Sequence, residues 1–551
     1  MAVNKNKNYS IEQLEALIYN AANTFHGGGN LQNTELLYIA IPTILIKRLL
    51  DTREDMIEEY LKDITEENTC SYLEALDKGL QEFPAIFHTK EKPWFFITYQ
   101  DVIHYGDNPL AKETEIKCGP DKSVIIKTNA RDKIELWEEV CNSFKETIIH
   151  SIFSDSRYFS LYMKDKLGTR EAKNLLNKFA EEHFGENITT DMFAHVYIFI
   201  ISKFAESAGK KGGEFFTPDI LCDLVVKCLE PELNPEGDTN ICDITSGSGT
   251  FLISMANYLK DKYKVPYENA GISVVKALNK HLHIFMQEKE QMTLMLGEVG
   301  LLMAGFNKIT SHNDNTLLAY YNNIGQQAGK IDYFVGNPPY GAKILQEDDY
   351  QAIKSVKGSD PRWEKWGVPA KRMLEWFFVQ TDIELLNEKG RGGLILPTGV
   401  LYQNNSRNKM LNMDIIEGVI LLPKDMFQTT KIQTCAVFFN KNKKEGDKGK
   451  VFMIDASKNA KRVGKFNTIN LEELVDIYTN RKEVEGVSTY ADVEHIKRKK
   501  GSIEPFRYLT DEENDEDDED EDNIDIKSVE NELNNIITEL YLSLDHKHEG
   551  V

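Results

Sequence analysis

From about residue 190 to residue 475, short apolar segments alternate with longer segments whose apolar residues recur at helical spacing. Short apolar runs are typical of buried strands, and strands that alternate with amphipathic helices favour a parallel sheet covered on both faces. The strand candidates are residues 240–244, 331–336, 393–396, 415–422 and 434–439, and the β-rich segment 451–454 is expected at an antiparallel edge. The alternation therefore predicts an α/β domain.

The chain of 551 residues is long enough for two or three domains. Residues 1–185 read as a mainly helical domain, in which Ser10 and Gln13 fit a capping box and residues 34–50 form an apolar helix with Pro42 as an internal kink or boundary. Residues 186–475 hold the predicted sheet. Residues 476–551 form a polar tail, in which the acidic run 511–522 should be disordered and an apolar stripe over 526–545 predicts a docking helix.

Composition excludes several classes of protein. The seven cysteines are scattered and contain no Cys-x-x-Cys pair, which argues against a disulfide framework and against a zinc site, so no metal is expected. We find no run of 18 or more apolar residues, so a soluble, cytoplasmic protein without membrane contact is expected.

The tetrapeptide Asn337-Pro338-Pro339-Tyr340 directly follows the predicted strand 331–336. It is similar to the motif with which methyltransferases hold a planar amino nitrogen while a methyl group is transferred to it. Such a nitrogen is a poor nucleophile because its lone pair is delocalised, and hydrogen bonds from its N–H groups to fixed oxygens localise that pair. The Asn337 side chain and the Pro338 carbonyl can supply these oxygens, and Tyr340 can stack on a base drawn out of its duplex. A proline-rich turn after a strand is the alternative reading.

A glycine-rich loop at residues 243–252 follows another predicted strand and leads into a predicted helix over residues 251–260. Glycines at such a junction let the backbone approach a ligand closely, and the helix N-terminus favours a carboxylate or a phosphate. A phosphate-binding P-loop is disfavoured because no Lys follows Gly249. Upstream, Thr217 before Pro218 reads as a helix N-cap.

Taken in order along the chain, these motifs resemble the modification (methyltransferase) subunit of type I restriction-modification systems. The resemblance implies a Rossmann-like S-adenosylmethionine-dependent methyltransferase domain between the helical domain and the tail. The residues that it implies for cofactor binding are Glu214, Phe215, Phe216 and Thr217 at the methionine end, Asp243, Thr245, Ser246, Gly247 and Gly249 in the glycine loop, Glu288 at the ribose and Asp314 near the adenine. Glu288, on a stretch that reads as helical, has Glu290 as an alternative. The residues that it implies for catalysis are Asn337, Pro338, Pro339, Tyr340 and Phe427, with Phe427 as the second aromatic side chain at the flipped base.

The same resemblance implies an activity and partners. The activity is adenine-specific methylation of DNA at N6 with S-adenosyl-L-methionine as cofactor. A specificity subunit would read the DNA sequence and bind two modification subunits, and a motor-nuclease subunit would complete the restriction enzyme. Methylation of a glutamine amide or of RNA, or a non-catalytic assembly role for a vestigial methyltransferase fold, are the alternatives.

The net charge of −23 is unusual for a protein that acts on a polyanion. Removing the eleven acidic residues of 511–522 still leaves −12. We therefore expect local basic patches, such as residues 210–211 or 497–500, and a partner that supplies much of the phosphate contact. We expect the tail helix either to pack on this chain or to contact the specificity subunit.

Overall fold

The structure is a computed structural model. It describes residues 7–23, 33–62, 97–105, 113–117, 123–127, 130–143, 163–164, 168–185, 188–208, 217–234, 237–320, 323–341, 345–402, 405–427, 432–458, 460–463 and 466–509. The predicted acidic run and docking helix lie outside the described residues. So do Glu214, Phe215 and Phe216.

Helices dominate the described part of the N-terminal region. They are α1 (Ile11–Asn23), α2 (Asn33–Lys62), α3 (Tyr99–His104), then after a two-stranded antiparallel hairpin of β1 (Glu113–Lys117) and β2 (Ser123–Lys127), α4 (Lys133–Ser143), α5 (Thr169–Lys178) and α6 (Thr190–Ala208). The predicted capping box is confirmed, because the Ser10 N–H donates to Gln13 Oε1 at 3.0 Å and the Gln13 N–H donates to Ser10 Oγ at 3.2 Å. Helix α2 continues through Pro42 and extends beyond the predicted end at residue 50.

A buried ion pair anchors α2 to the chain just before α6. Lys47 Nζ lies 2.7 Å from Asp51 Oδ2, and both side chains are almost fully buried, with 1% and 2% exposed. Asp51 also accepts the Phe184 backbone N–H at 2.7 Å, and His183 Nε2 lies 2.8 Å from Asp55 Oδ1. These bonds fix segment 183–185 against α2. Because this segment leads into α6, they also connect α2 to the helix that precedes the sheet domain.

The remaining elements build a nine-stranded sheet with helices around it. In chain order they are α7 (Asp219–Leu229), β3 (Thr239–Asp243), α8 (Thr250–Asn269), α9 (Val274–His281), β4 (Leu282–Glu288), α10 (Gln291–Met303), β5 (Ile309–Asn313), β6 (Ile331–Gly336), α11 (Glu347–Ser355), α12 (Pro361–Trp366), α13 (Leu374–Leu385), β7 (Leu386–Pro397), α14 (Asn405–Asn412), β8 (Ile416–Leu421), β9 (Thr434–Asn440), β10 (Lys450–Asp455), a short hairpin of β11 (Lys461–Val463) and β12 (Phe466–Thr468), α15 (Leu471–Thr479), β13 (Ser488–Asp492) and α16 (Val493–Arg498).

The strand order across the large sheet is β13-β10-β8-β9-β7-β6-β3-β4-β5. Strands β5, β4, β3, β6 and β7 are parallel, while β9 is antiparallel to both of its neighbours, β7 and β8. The order reverses between β3 and β6, since β4 and β5 lie on one side of β3 and the later strands on the other. Ligands of open α/β sheets bind at the carboxyl ends of the strands beside such a reversal. The predicted Rossmann-like α/β fold is confirmed.

The sequence placed most strands correctly and missed others. Strand β6 occupies the predicted residues, whereas β7 begins seven residues before the predicted segment 393–396. The helical reading of residues 287–288 is wrong, because they end β4, whose burial is nearly continuous. Strand β10 belongs to an antiparallel edge of the sheet, as expected, because it pairs antiparallel with the outermost strand β13, and its other side pairs in parallel with β8.

The sheet continues into the segment assigned to the tail. Strand β13 pairs with β10, and both strands belong to one compact unit that ends at Leu509. The boundaries near residues 185 and 475 remain predictions. No helix among the described residues is long and apolar enough to cross a bilayer. The five described cysteines are buried free thiols.

Replacing Lys47 by Met should destabilise the protein by about 3–5 kcal/mol, because it leaves the Asp51 carboxylate buried without its cation. The double variant Lys47→Met, Asp51→Asn removes both charges and keeps an acceptor for the Phe184 N–H, so it should recover part of that loss. Urea unfolding followed by circular dichroism measures both. A double variant no more stable than the single one would contradict this account of the pair.

Candidate active site

A cleft opens at the carboxyl ends of β3, β4 and β6. Of the residues proposed from sequence, those that line it are Thr217, Asp243, Thr245, Ser246, Gly247, Glu288, Asp314, Asn337 and Pro339. Residues of five separate chain segments thus meet in one place. The lining residues that the sequence did not single out are Ile244, Ser248, Thr250, Phe251, Lys289, Asn315, Thr316, Leu317, Leu345, Asp349, Leu374 and Phe378.

The glycine loop connects β3 to α8 and packs closely against α10. Gly247 and Gly249 have φ values of +52° and +78°, which side chains rarely adopt. A Cβ on Gly249 would lie 3.0 Å from the Cα of Gly297 in α10, so the loop and this helix touch backbone to backbone. The Tyr197 hydroxyl lies 2.8 Å from both the Ser248 and Leu296 carbonyl oxygens, which joins α6 to this contact.

Two acidic side chains accept hydrogen bonds from backbone N–H groups of the glycine loop. Asp243 Oδ1 accepts the Thr245 N–H at 2.8 Å, and Glu288 Oε2 accepts the Gly247 N–H at 3.0 Å. Burial raises the pKa of Asp243 to about 7 and raises the pKa of Glu288, although backbone N–H donors oppose both shifts. Glu290, the alternative acid, is exposed and does not line the cleft.

A buried arginine holds the far wall of the cleft. Arg362 Nη1 donates to the Thr316 carbonyl at 3.3 Å, and Nη2 donates to the Leu317 carbonyl at 3.2 Å. The same guanidinium pairs with Asp360 at 2.7 Å and lies over the Tyr320 ring, 4.0 Å from its centroid. The segment that begins with Asp314 is therefore fixed by side chains close to 50 residues away. The sequence signal was an Arg directly after an Asp-Pro helix start, which by itself looks like an ordinary cap.

The Asn337 side chain is bound at both ends. Its Nδ2 donates to Thr217 Oγ1 at 3.0 Å, and its Oδ1 accepts from the Tyr340 hydroxyl. The prediction that Thr217 caps α7 is wrong, because Pro218 takes the N-cap position without a side-chain bond and the Thr217 hydroxyl turns to Asn337. Glu375 Oε1 accepts the Gly341 N–H at 3.2 Å, which fixes the end of the tetrapeptide to α13.

The rings of Tyr340 and Phe427 lie next to each other, edge to face. Their ring centroids are 6.5 Å apart and their planes are inclined by 84°. A base stacked between them would therefore require one ring to turn. Pro338 is buried and lies outside the lining of the cleft, as does Gly249.

The cleft is acidic. Asp243, Glu288, Asp314 and Asp349 line it, and Lys289 is the one cation among the described lining residues. The buried Ser246 Oγ also has no hydrogen-bond partner within the described part of the chain. Such a lining favours a cationic ligand with hydroxyl groups over a di- or triphosphate, whose charge it would repel.

Comparison with known proteins places these features in context. The model of the family described as "N-6 DNA Methylase" matches residues 188–517. The chain is 27% identical to the methylase subunit of the MjaVII type I restriction enzyme of Methanocaldococcus jannaschii over 336 residues, 59% of this chain and 54% of that protein. It is 25% identical to the MpnII methylase subunit of Mycoplasma pneumoniae over 425 residues, 74% of this chain and 73% of that protein. The chain thus spans about half of the length of the archaeal relatives that it matches, at 54%, 60% and 52%.

A similar fold has been solved for the methyltransferase subunit of a type I restriction-modification system from Streptococcus thermophilus. The TM-score is 0.69 at 19% sequence identity, and the match covers 91% of this chain and all of the other. At this identity the likeness concerns the fold.

The raised pKa of Asp243 has a consequence for stability. The folded protein holds this proton up to about pH 7, whereas the unfolded chain releases it near pH 3.8. Stability from this group should therefore fall as the pH rises between these values and level off above them.

In Asp243→Asn the amide stays neutral and its oxygen can still accept the Thr245 N–H. The variant should be more stable than the natural protein at pH 8, by an amount on the order of a few kcal/mol, and the difference should be smaller at pH 5. Thermal unfolding at both pH values measures this. A difference that does not change with pH would show that Asp243 is ionised throughout.

Proposed function

We propose, because the chain belongs to the N-6 DNA methylase family, that it methylates adenine N6 in DNA with S-adenosylmethionine as the methyl donor. The observation that carries the proposal is the convergence of Asn337, Thr217 and the acidic glycine-loop cleft at the strand-order reversal. The family favours this reaction over methylation of RNA or of a glutamine amide.

The lining of the cleft fits the proposed cofactor. S-adenosylmethionine carries a sulfonium and an ammonium group, which the carboxylates of Asp243 and Glu288 would stabilise. Carboxylates also accept hydrogen bonds from hydroxyl groups, and Glu288 ends β4 beside the glycine loop, where a ribose can reach it. Asp314 and the segment held by Arg362 would take the adenine end.

The bound cofactor would supply an already activated methyl group, so the protein has to position the amine and polarise it. Asn337 Oδ1 and the Pro338 carbonyl would accept the two N–H groups of the adenine amine. Thr217 and Glu375 hold the tetrapeptide from both sides, which keeps these acceptors in place. Tyr340 and Phe427 would hold the base once one of the rings has turned.

We further propose that the chain acts as a modification subunit. The names of its relatives are those of subunits of type I restriction enzymes. A specificity subunit that binds two copies of this chain would bring the acidic protein to its DNA target. A motor-nuclease subunit would join the restriction complex.

Asn337→Ala should bind S-adenosylmethionine as the natural protein does and lose roughly 100- to 1000-fold in methylation rate, the usual effect of removing one hydrogen-bonding group from a transition state. Asn337→Asp, which keeps an acceptor oxygen, should retain more activity. Calorimetry measures cofactor binding, and sequencing of modified bases after coexpression with the specificity subunit measures methylation. Normal methylation by Asn337→Ala would refute the proposal.

Tyr340→Phe tests the role of the hydroxyl that occupies Asn337 Oδ1. The phenyl ring can still stack on a base and the acceptor becomes free, so this variant should methylate at least as fast as the natural protein. Tyr340→Ala loses the stacking face and should bind DNA more weakly, by about 1–3 kcal/mol. If Tyr340→Phe lost as much methylation activity as Tyr340→Ala, the hydroxyl group itself would be required for methylation. Single-turnover rates on a duplex with one target site distinguish these outcomes.

A further inference from the structure

Exposed cationic and aromatic side chains gather where the described chain ends. They are Tyr402, Arg498, Lys500, Phe506 and Arg507, which we call the basic-aromatic surface. The two aromatic side chains are 51% and 49% exposed, which is high for large apolar groups. Exposed apolar side chains beside cations, on an otherwise acidic protein, indicate a binding surface for a negatively charged partner.

The fold explains why these residues are neighbours. Helix α16 ends at Arg498, and the chain then turns back through Lys500, whose φ is +54°. Lys499 Nζ donates to the Arg507 carbonyl at 3.0 Å, and the His495 ring packs edge-on against Tyr508, with centroids 5.5 Å apart. The 3₁₀ turn Pro505–Tyr508 is thereby held against α16.

A second set of contacts places this surface beside the candidate active site. The Ile503 N–H donates to the Leu401 carbonyl at 3.0 Å, next to Tyr402. Leu401 ends the 3₁₀ turn Thr398–Leu401 that directly follows β7. Strand β7 pairs with β6, whose last residue precedes Asn337. The surface therefore flanks the same edge of the sheet from which the tetrapeptide emerges.

Nearby acids leave an excess of positive charge. Glu494 is paired with Lys497 at 2.7 Å, and Glu504 is paired with Arg507 at 2.7 Å. Asp492 is exposed at the other end of α16. Among the described residues 492–509 five cations stand against three acids, whereas the acidic run 511–522 lies outside the part of the chain that the structure describes. The surface is thus a local exception to the charge of the molecule.

We propose that the basic-aromatic surface holds the phosphate backbone of the DNA duplex that flanks the target adenine. Arg498, Lys500 and Arg507 contact phosphates, and Tyr402 and Phe506 lie against the sugars or against bases next to the flipped one. Phosphate contacts give register and affinity without sequence preference. The surface therefore aligns the duplex with Asn337 and leaves sequence reading to another subunit. The inference rests on the proposed function, because it assumes that DNA is the substrate.

The test removes three positive charges at the surface. In the complex with the specificity subunit, the triple variant Arg498→Gln, Lys500→Gln, Arg507→Gln should bind a target duplex about tenfold more weakly at moderate salt. The slope of log affinity against log salt should fall by roughly one for each phosphate that the variant no longer reaches. Binding of S-adenosylmethionine should not change, since none of the three side chains lines the cleft.

A matched control removes the same charge elsewhere. Lys264, Lys276 and Lys280 are exposed on α8 and α9, away from this part of the sheet, and their triple replacement by Gln changes the net charge equally. Fluorescence anisotropy of labelled DNA over a range of salt concentrations should show normal affinity and slope for this control. An equal loss of affinity in both triple variants would assign the effect to net charge and overturn the proposal.

Two further outcomes would also decide against the surface. An unchanged salt slope with weakened binding of the specificity subunit would identify it as a protein contact. An unchanged affinity and slope would leave it without a part in DNA binding. Anisotropy measures DNA binding and does not depend on methyl transfer. A natural complex that binds DNA but does not methylate it would refute the proposed function, and the salt slopes of the two triple variants would still decide whether the basic-aromatic surface contacts DNA.

Discussion

The backbone contact between the glycine loop and α10 is the constraint on which the candidate site depends. A Cβ on Gly297 would lie 3.2 Å from the Gly249 nitrogen and 3.3 Å from the Gly247 carbonyl oxygen, so the loop would have to shift by a few tenths of an ångström beside a larger residue. The Met286 side chain, whose Cε would lie 2.6 Å away, would have to turn aside. Helix α10 packs in turn against α2 and α6. The N-terminal helices thus support the wall against which the glycine loop is pressed, which gives the helical region a direct part in shaping the cleft.

The acids of the cleft are held at a cost to stability. Asp243 is buried with Asp382 nearby, and burial together with the Asp243 charge raises the pKa of Asp382 well above its ordinary value. The carboxyl groups of Asp243 and Asp382 lose hydration on burial, and no cationic side chain among the described residues pairs with either of them. A positively charged ligand reverses that balance, so the arrangement is better suited to binding than to folding. The pair Lys47 and Asp51 shows the opposite solution, in which burial is matched by a cation.

The sequence predicted the parts of the structure that local pattern determines. Strand β6 and the capping box at Ser10 depend on residues a few positions apart, and both were placed correctly. Strand β4 was missed because its residues are buried almost continuously, and a fully buried strand lacks the alternation that distinguishes it from a helix. The bond from Asn337 to Thr217 joins residues 120 positions apart, and no local pattern reports such a pairing. The hydrogen bonds of Arg362 were not predicted for the same reason, because they go to backbone carbonyl groups, which carry no sequence signature.

The position of β9 has a consequence for how the chain is synthesised. This strand lies between β7 and β8 in the sheet but follows both of them in the sequence. A nascent chain that has reached β8 therefore has two strands whose facing edges lack a partner, and unpaired edges of this kind invite wrong pairing. Only after Asn440 has left the ribosome can one strand close both ladders at once. The order of strands thus delays completion of the sheet until late in translation. The same delay applies to Phe427, which lies in the connection between β8 and β9.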